Sequence, residues 1–193
     1  MRAWPPKIKP VPAAPTAFLD RDGTLNRDSK AYITTPGGLK LYAFAAKAVA
    51  LLNRKGYRVV VLTNQSGVAR GYMTLAGSRA INLKLVRELR RSGAGIDAVY
   101  FCPHGPDAGC ACRKPSPGLI KEALKDNPAD LRRSFMAGDK SSDLELARRA
   151  GLKGKLVLTG QWRSAGAAAA KRGHRDLLAL ARALPDYSER KIK

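Results

Sequence analysis

Short apolar runs alternate with longer segments of helical period along most of the chain. TAFLD at 16–20 is continuous, apolar and closed by a carboxylate, the pattern of a strand buried on both faces. YRVVVLTN at 57–64 is the clearest such run, because its β-branched residues suit a parallel sheet covered on both sides. IDAVYFC (96–102), SFMAGD (134–139) and KLVLTG (155–160) repeat the pattern. Between them, apolar positions recur every three or four residues in AFAAKAVALLNRKG (43–56), SRAINLKLVRELRRSG (78–93), SPGLIKEALKDN (116–127) and SDLELARRAG (142–151). That spacing predicts helices, three of them stopped by a glycine. Ser116 and Pro117 suit the N-cap and first position of the third. AGAAAAKRG (165–173) and HRDLLALARAL (174–184) read as two closing helical segments.

Strands alternating with helices predict an α/β fold, a doubly wound, Rossmann-like parallel sheet with right-handed crossovers. The glycines and proline of 21–40 mark loop and turn, and no segment is long enough for a large inserted cap domain. Residues 1–15, rich in proline and lysine, read as a flexible arm, 16–185 as one domain and 186–193 as a basic tail. A chain of 193 residues can bury about 70% of its unfolded surface, so it needs no disulfides to hold a core.

Charge changes the picture only partly. Thirty-six Lys and Arg against fifteen Asp and Glu leave a formal charge of +21, which favours anionic partners. The cations are spread over Arg79, Lys84, Arg87, Arg90 and Arg91, then Arg132, Arg133, Arg148, Arg149, Lys153 and Lys155, then the segment after Lys171. That spread reads as a solvated surface, and nucleic acid is not the expected partner. The basic segment beyond Lys171 is expected to be dispensable for a small substrate. Three cysteines make a poor disulfide framework and point to a reducing compartment. No apolar run approaches the ~20 residues of a membrane span, and the N-terminus lacks a secretory core, so a cytoplasmic protein is expected.

The polar residues that interrupt this pattern gather where the predicted strands end, the edge at which open α/β sheets bind ligands. Asp20 and Asp22 flank Arg21 after the first strand. Two close carboxylates repel one another, and a divalent cation relieves the repulsion. The same pair could instead cap a turn. Thr63 and Asn64 close the second strand, Lys114 lies in RKP at 113–115, and GDKSSD at 138–143 supplies Asp139 and Asp143. A metal site, a nucleophile, a hydroxyl and a lysine are the equipment for phosphoryl transfer.

DRDGT (20–24), TNQSG (63–67), RKP (113–115) and GDKSSD (138–143) resemble, in order, the four signatures of the haloacid dehalogenase superfamily of phosphatases. The resemblance implies that Asp20 is the nucleophile and Asp22 the general acid and base. It implies Mg²⁺ on the Asp20 carboxylate, the Asp22 carbonyl and Asp139, with Thr63 and Lys114 on the transferring phosphoryl group. Asp143 would orient Lys114 or a metal-bound water, or serve only as a first-turn helix residue.

All three cysteines lie in CPHGPDAGCACR at 102–113. Cys102, His104, Cys110 and Cys112 make a Cys₃His set, a normal closed tetrahedral zinc site. Such a zinc would pin the loop that leads into Arg113 and Lys114, supporting the chemistry without performing it. The alternative is free thiols beside an incidental histidine. The CxH…CxCRKPxPG pattern is similar to that of the D-glycero-D-manno-heptose-1,7-bisphosphate 7-phosphatases, which act in making nucleotide-activated heptose for lipopolysaccharide. That resemblance implies substrate contacts from Asp28, Thr63, Asn64, Gln65, Ser66, Arg113, Lys114 and Lys140. It implies a small phosphorylated sugar as substrate and an open site compatible with a monomer. Histidinol-phosphate phosphatases and polynucleotide 3′-phosphatases share parts of the pattern and stand as alternatives.

Overall fold

The computed structural model describes residues 2–4, 12–29, 31–160 and 173–188. Its sheet has six strands in the order β1-β4-β3-β2-β5-β6. These are β1 Arg2–Trp4, β2 Thr16–Leu19, β3 Arg58–Asn64, β4 Ala98–Cys102, β5 Phe135–Gly138 and β6 Lys153–Leu156. The five strands β2 to β6 run parallel, whereas β1 pairs antiparallel with β4 at the edge. Part of the segment expected to be an arm therefore forms an edge strand, and residues 5–11 lie outside the described residues.

The parallel strands β2 to β5 alternate their side chains between two buried faces. Ala17, Leu19, Val59, Val61, Val99 and Ala137 join one core cluster, and Phe18, Val60, Leu62, Tyr100 and Met136 join the other. Helices α1 Ala45–Arg54 and α2 Leu75–Arg91 cover the first face. Helices α3 Gly118–Asp126 and α4 Ser141–Arg149 cover the second. A fifth helix, α5 Leu177–Ala183, buries Leu177, Leu180 and Ala181 in the first cluster. Each fully buried leucine is worth roughly 1.5–3 kcal/mol of transfer free energy. Among the described residues between β2 and α1 the chain forms turns, two isolated bridges and a 3₁₀ segment, Pro36–Gly38, with no inserted cap. Among the described residues, no helix is long and apolar enough to cross a membrane.

Several boundaries differ from the sequence reading for identifiable reasons. Helix α2 starts three residues earlier than expected because the Thr74 hydroxyl accepts the Gly77 N–H at 3.0 Å. Helix α3 starts at Gly118, with Pro117 at the cap and Ser116 committed to a turn, its N–H donating to Arg113 O at 2.8 Å. Strand β6 ends at Leu156, because Thr159 turns away to donate its hydroxyl to Gly23 O and Gly160 takes φ +58°. The segment after Lys171 was expected to be dispensable, yet its described part belongs to the core. His174 bridges to Val157, Leu177 and Leu180 are buried, and Lys55 Nζ donates to Leu184 O. The predicted helix at 165–173 lies almost entirely outside the described residues.

Candidate active site

Four parallel strands deliver their C-terminal ends to one edge. Hydrogen bonds fix the depth of each: Asp20 N–H donates to Ala137 O at 2.9 Å, and Gln65 N–H to Cys102 O at 2.7 Å. Asp20, Thr63, Cys102 and Asp139 consequently lie side by side at this edge, as the sequence pattern requires. Above them opens a cavity of about 1180 Å³. Of the expected site residues, Asp22, Asp28, Asn64, Gln65, Ser66, Arg113, Lys114 and Lys140 line it. Asp20, Thr63 and Asp139 form its buried floor, at 2%, 1% and 0% exposure.

Lys114 organises the floor. Its Nζ lies 2.7 Å from Asp20 Oδ1, 2.7 Å from Asp143 Oδ1 and 2.9 Å from Leu62 O. Burial works against its charge, but Asp143 and Asp20 outweigh burial and hold the ammonium above its ordinary value. Asp20 Oδ1 also accepts the Arg21 N–H at 2.7 Å, which fixes the carboxylate plane. Asp143 combines two roles that the sequence left as alternatives. One oxygen pairs with Lys114, and the other accepts the Lys140 N–H at 3.2 Å at the start of α4. Burial, with Asp20 nearby, pushes the Asp143 carboxyl up to about 6 against the pull of Lys114 and Lys140.

Asp22 sits at the mouth of this floor, gripped by four donors. Its Oδ1 accepts Arg21 Nε at 3.0 Å and Asn26 Nδ2 at 2.8 Å, and its Oδ2 accepts Arg21 Nη2 at 2.8 Å and Gln65 Nε2 at 2.9 Å. Burial raises the carboxyl, yet these donors hold it below its ordinary value. The Gln65 amide also donates to Thr63 Oγ1 at 2.9 Å, which leaves the hydroxyl proton free to donate elsewhere. Asn64, expected to contact substrate, lines the cavity and also serves the backbone. Its side chain clamps the Lys114 backbone in both directions, at 3.0 and 3.1 Å. Lys140 Nζ pairs with Asp28 at 3.0 Å and lies 3.5 Å from Asp22 O. Arg113 Nη1 donates to His104 O at 3.1 Å, tying the cavity wall to the cysteine loop.

Two groups of donors fit metal ions. Ligand atoms of Asp20, Asp139 and Asp143 lie within 4.8 Å of one another and all three residues are buried. Three carboxylates this close, with one lysine between two of them, favour a divalent cation among oxygen ligands. Glycines make room for Asp139: a Cβ on Gly23 or Gly160 would overlap its Oδ2. The second group is Cys102, His104, Cys110 and Cys112. The sulfur–sulfur separations are 3.3, 3.6 and 3.7 Å, and His104 Nδ1 lies 3.2 and 3.5 Å from two of the sulfurs. A tetrahedron with Zn–S bonds of about 2.3 Å has edges of roughly 3.7 Å, so the set fits zinc. Burial pushes the Cys102 thiol up to about 12. Cys110 comes down to about 7, because the Arg113 backbone and the neighbouring thiols outweigh its own desolvation. Gly118 N–H donates to Ala111 O at 2.9 Å, so α3 is seated directly on this loop.

Sequence reasoning passed over Arg21, Asn26 and Asn82, and it missed Thr159 and Gly160. Arg21 had been read only as a spacer between two aspartates. Its signal was a cation inside a buried segment, which must have a partner.

Known proteins agree with this geometry. A family model described as HAD-hydrolase-like matches residues 111–181. A probable D-glycero-D-manno-heptose-1,7-bisphosphate 7-phosphatase of Thermoplasma acidophilum is 43% identical over 143 residues, 74% of this chain and 89% of the relative. The D-glycero-beta-D-manno-heptose-1,7-bisphosphate 7-phosphatase of Bordetella bronchiseptica is 42% identical over 146 residues, 76% of this chain and 82% of that one. The crystal structure of D,D-heptose 1,7-bisphosphate phosphatase from B. bronchiseptica, complexed with magnesium and phosphate, superposes with a TM-score of 0.79. It is 38% identical and covers 87% of this chain and 96% of its own. The chain belongs to this family of haloacid dehalogenase-type heptose-bisphosphate phosphatases.

Proposed function

We propose that this protein is a Mg²⁺-dependent phosphatase that removes the C7 phosphate of D-glycero-D-manno-heptose 1,7-bisphosphate through an aspartyl-phosphate on Asp20. The observation that carries the reading is the buried Lys114 ammonium, held 2.7 Å from both Asp20 and Asp143 below a cavity that Asp22 faces. Similarity to the B. bronchiseptica enzyme, whose structure holds magnesium and phosphate, supplies the substrate class.

In this mechanism the incoming phosphate dianion raises the Asp22 carboxyl, which its donors hold ionised in the free protein, so that it carries a proton; the Asp20 carboxylate then attacks phosphorus while the bond to the sugar oxygen breaks, and Asp22 gives that proton to the oxygen. Water then attacks the aspartyl-phosphate as Asp22 takes back a proton, releasing inorganic phosphate and restoring Asp20. Lys114 holds Asp20 in one orientation, so the nucleophile pays little reorientation entropy. The Thr63 hydroxyl and the Lys114 charge stabilise the transferring phosphoryl oxygens. Asp20, the Asp22 carbonyl and Asp139 would hold Mg²⁺, which when bound supplies positive charge against the phosphoryl oxygens. Arg113, Asp28 and Lys140 form the outer wall where a sugar and its second phosphate would lie.

The test is Mg²⁺-dependent phosphate release from heptose 1,7-bisphosphate, histidinol phosphate and a 3′-phosphorylated oligonucleotide side by side. A heptose preference of about tenfold in kcat/KM, or ~1.4 kcal/mol of transition-state discrimination, is the expected result. Equal or better turnover of either competitor sinks the substrate assignment. Asp20→Asn that retains turnover removes Asp20 as nucleophile.

A further inference from the structure

Arg21 is the largest fully buried side chain among the described residues, at 0% exposure. Burying a guanidinium carries a penalty of several kcal/mol unless it is well partnered. Here nearly all the partnering goes to one residue. Nε and Nη2 form a two-point fork on the Asp22 carboxylate at 3.0 and 2.8 Å. The remaining terminal nitrogen, Nη1, donates to Asn82 Oδ1 at 2.8 Å. Asn82 lies on α2 and is 1% exposed, and its own Nδ2 has no hydrogen-bond partner among the described residues. An amide buried with an unsatisfied donor costs about 1–3 kcal/mol, so its acceptor oxygen must matter. Asp22 keeps 15% of its side chain exposed and lines the cavity, whereas Arg21 does not line it.

The geometry points to a positioning chain, Asn82 to Arg21 to Asp22, that aims the acid–base carboxylate at the leaving oxygen. Asn82 fixes the plane of the guanidinium from the rigid frame of α2, and the planar fork in turn fixes the plane of the carboxylate. Neither Arg21 nor Asn82 touches substrate; each acts through Asp22. A lysine could neutralise Asp22 but could not orient it, because a single ammonium lacks the two-point geometry. Asn26 and Gln65 complete the grip from the turn and from the end of β3. The chain serves a proton transfer, so its loss should matter in proportion to the substrate's need for a proton.

The inference rests on the phosphatase reading but not on the identity of the sugar, and the experiment separates the two. Arg21→Met, Arg21→Lys and Asn82→Leu are compared with the unaltered protein on a sugar phosphate and on p-nitrophenyl phosphate. The nitrophenolate leaves without a proton; the sugar alkoxide needs one. Positioned general acids contribute about 10²–10⁴-fold, so Arg21→Met should lose at least ~10-fold more kcat/KM on the sugar phosphate than on the aryl phosphate. Asn82→Leu should shift the same ratio less, and Arg21→Lys should fall between unaltered protein and Arg21→Met. Zinc content and far-UV circular dichroism report whether each variant is folded, and Asn82→Leu and Arg21→Lys keep the test alive if Arg21→Met is not. Equal losses on both substrates in the folded variants overturn the positioning role. Absence of Mg²⁺-dependent phosphate release from either substrate by the unaltered protein would instead sink the phosphatase reading.

Discussion

Gly160→Ala should cost this protein its metal affinity as well as stability, and a second glycine separates the two effects. Gly160 has φ +58°, a conformation that costs an alanine roughly 1–2 kcal/mol. An added Cβ would overlap Asp139 Oδ2 and sit 2.8 Å from both Asp139 Cγ and Gly23 Cα. No flexible side-chain end is available to yield, because one neighbour is a fully buried carboxylate and the other is backbone. Overpacking of this kind costs typically about 1–3 kcal/mol, so the total is roughly 2–5 kcal/mol. Either Asp139 rotates or the Thr159–Gly160 turn moves out, breaking the 2.5 Å bond from Thr159 Oγ1 to Gly23 O. Both responses disturb an oxygen proposed to hold Mg²⁺.

Gly93 supplies the control. It ends α2 with φ +74°, and a Cβ there would meet nothing within 4 Å. Gly93→Ala should therefore lose about 1–2 kcal/mol, or about 2–8 °C in Tm, with unchanged turnover. The assay is phosphate release against Mg²⁺ concentration, beside urea unfolding of both variants. Gly160→Ala should raise the Mg²⁺ half-saturation point at least about tenfold, equivalent to ~1.4 kcal/mol, while Gly93→Ala leaves it alone. If the two variants match in both measurements, the glycine cradle around Asp139 has no part in metal binding.

Lys114→Met should lower kcat by about 10²-fold or more and stability by roughly 3–5 kcal/mol, since it strips the shared cation from Asp20 and Asp143. The folded Asp143 carboxyl already sits near 6, above its unfolded value, so its ionisation opposes folding as pH rises; the variant should be less destabilised at pH 5 than at pH 8, measured by urea unfolding. Cys110→Ser should lower bound zinc by elemental analysis and reduce kcat by about 10–100-fold through loss of support for Arg113 and Lys114; zinc-free protein with full activity refutes the support role. Burial and Lys155 hold His174 below its ordinary value, so the unfolded chain binds more protons below about pH 6.5 and stability should fall as pH drops through that region. His174→Gln should flatten that part of a Tm-against-pH curve, and an unchanged slope would show that another group sets it.

The sheet was legible because a parallel strand buried on both faces writes a continuous apolar run, and five such runs stand out. The catalytic floor was legible because each strand ends on its functional residue: Asp20, Thr63, Cys102 and Asp139. What the sequence could not supply were partners far apart in the chain. Arg21 and Asn82 are 61 residues apart, and Thr159 and Gly23 are 136 apart. Asn64 was readable as a polar strand end, but only the fold shows its amide clamping the backbone at Lys114. Local periodicity also overextended β6, since no local signal says that Thr159 and Gly160 are needed beneath Asp139. HRDLLALARAL was legible as a helix from its apolar period, but only the fold shows Leu177, Leu180 and Ala181 buried in the core cluster of α1.

The same placement separates the charge of the site from the +21 of the whole chain. At the catalytic edge, the carboxylates of Asp20, Asp22, Asp139 and Asp143 face the cations of Arg21, Lys114 and Lys140. Arg21 is committed to Asp22, and Lys114 is divided between Asp20 and Asp143. Lys140 is paired with Asp28, and Asp139 lies on the side where Gly23 and Gly160 make space. A divalent ion held there by Asp20 and Asp139 would add two positive charges beside the buried carboxylates. The arginines of α2 cannot do this work. Arg79, Arg87, Arg90 and Arg91 are exposed along α2 and do not line the cavity, so water and salt screen them within about 8–10 Å. They can draw an anionic sugar towards the protein, but the discrimination between ground state and transition state belongs to the buried groups. High net charge and phosphate chemistry are therefore separate properties of this chain, one a long-range field and the other a local arrangement of buried, paired side chains.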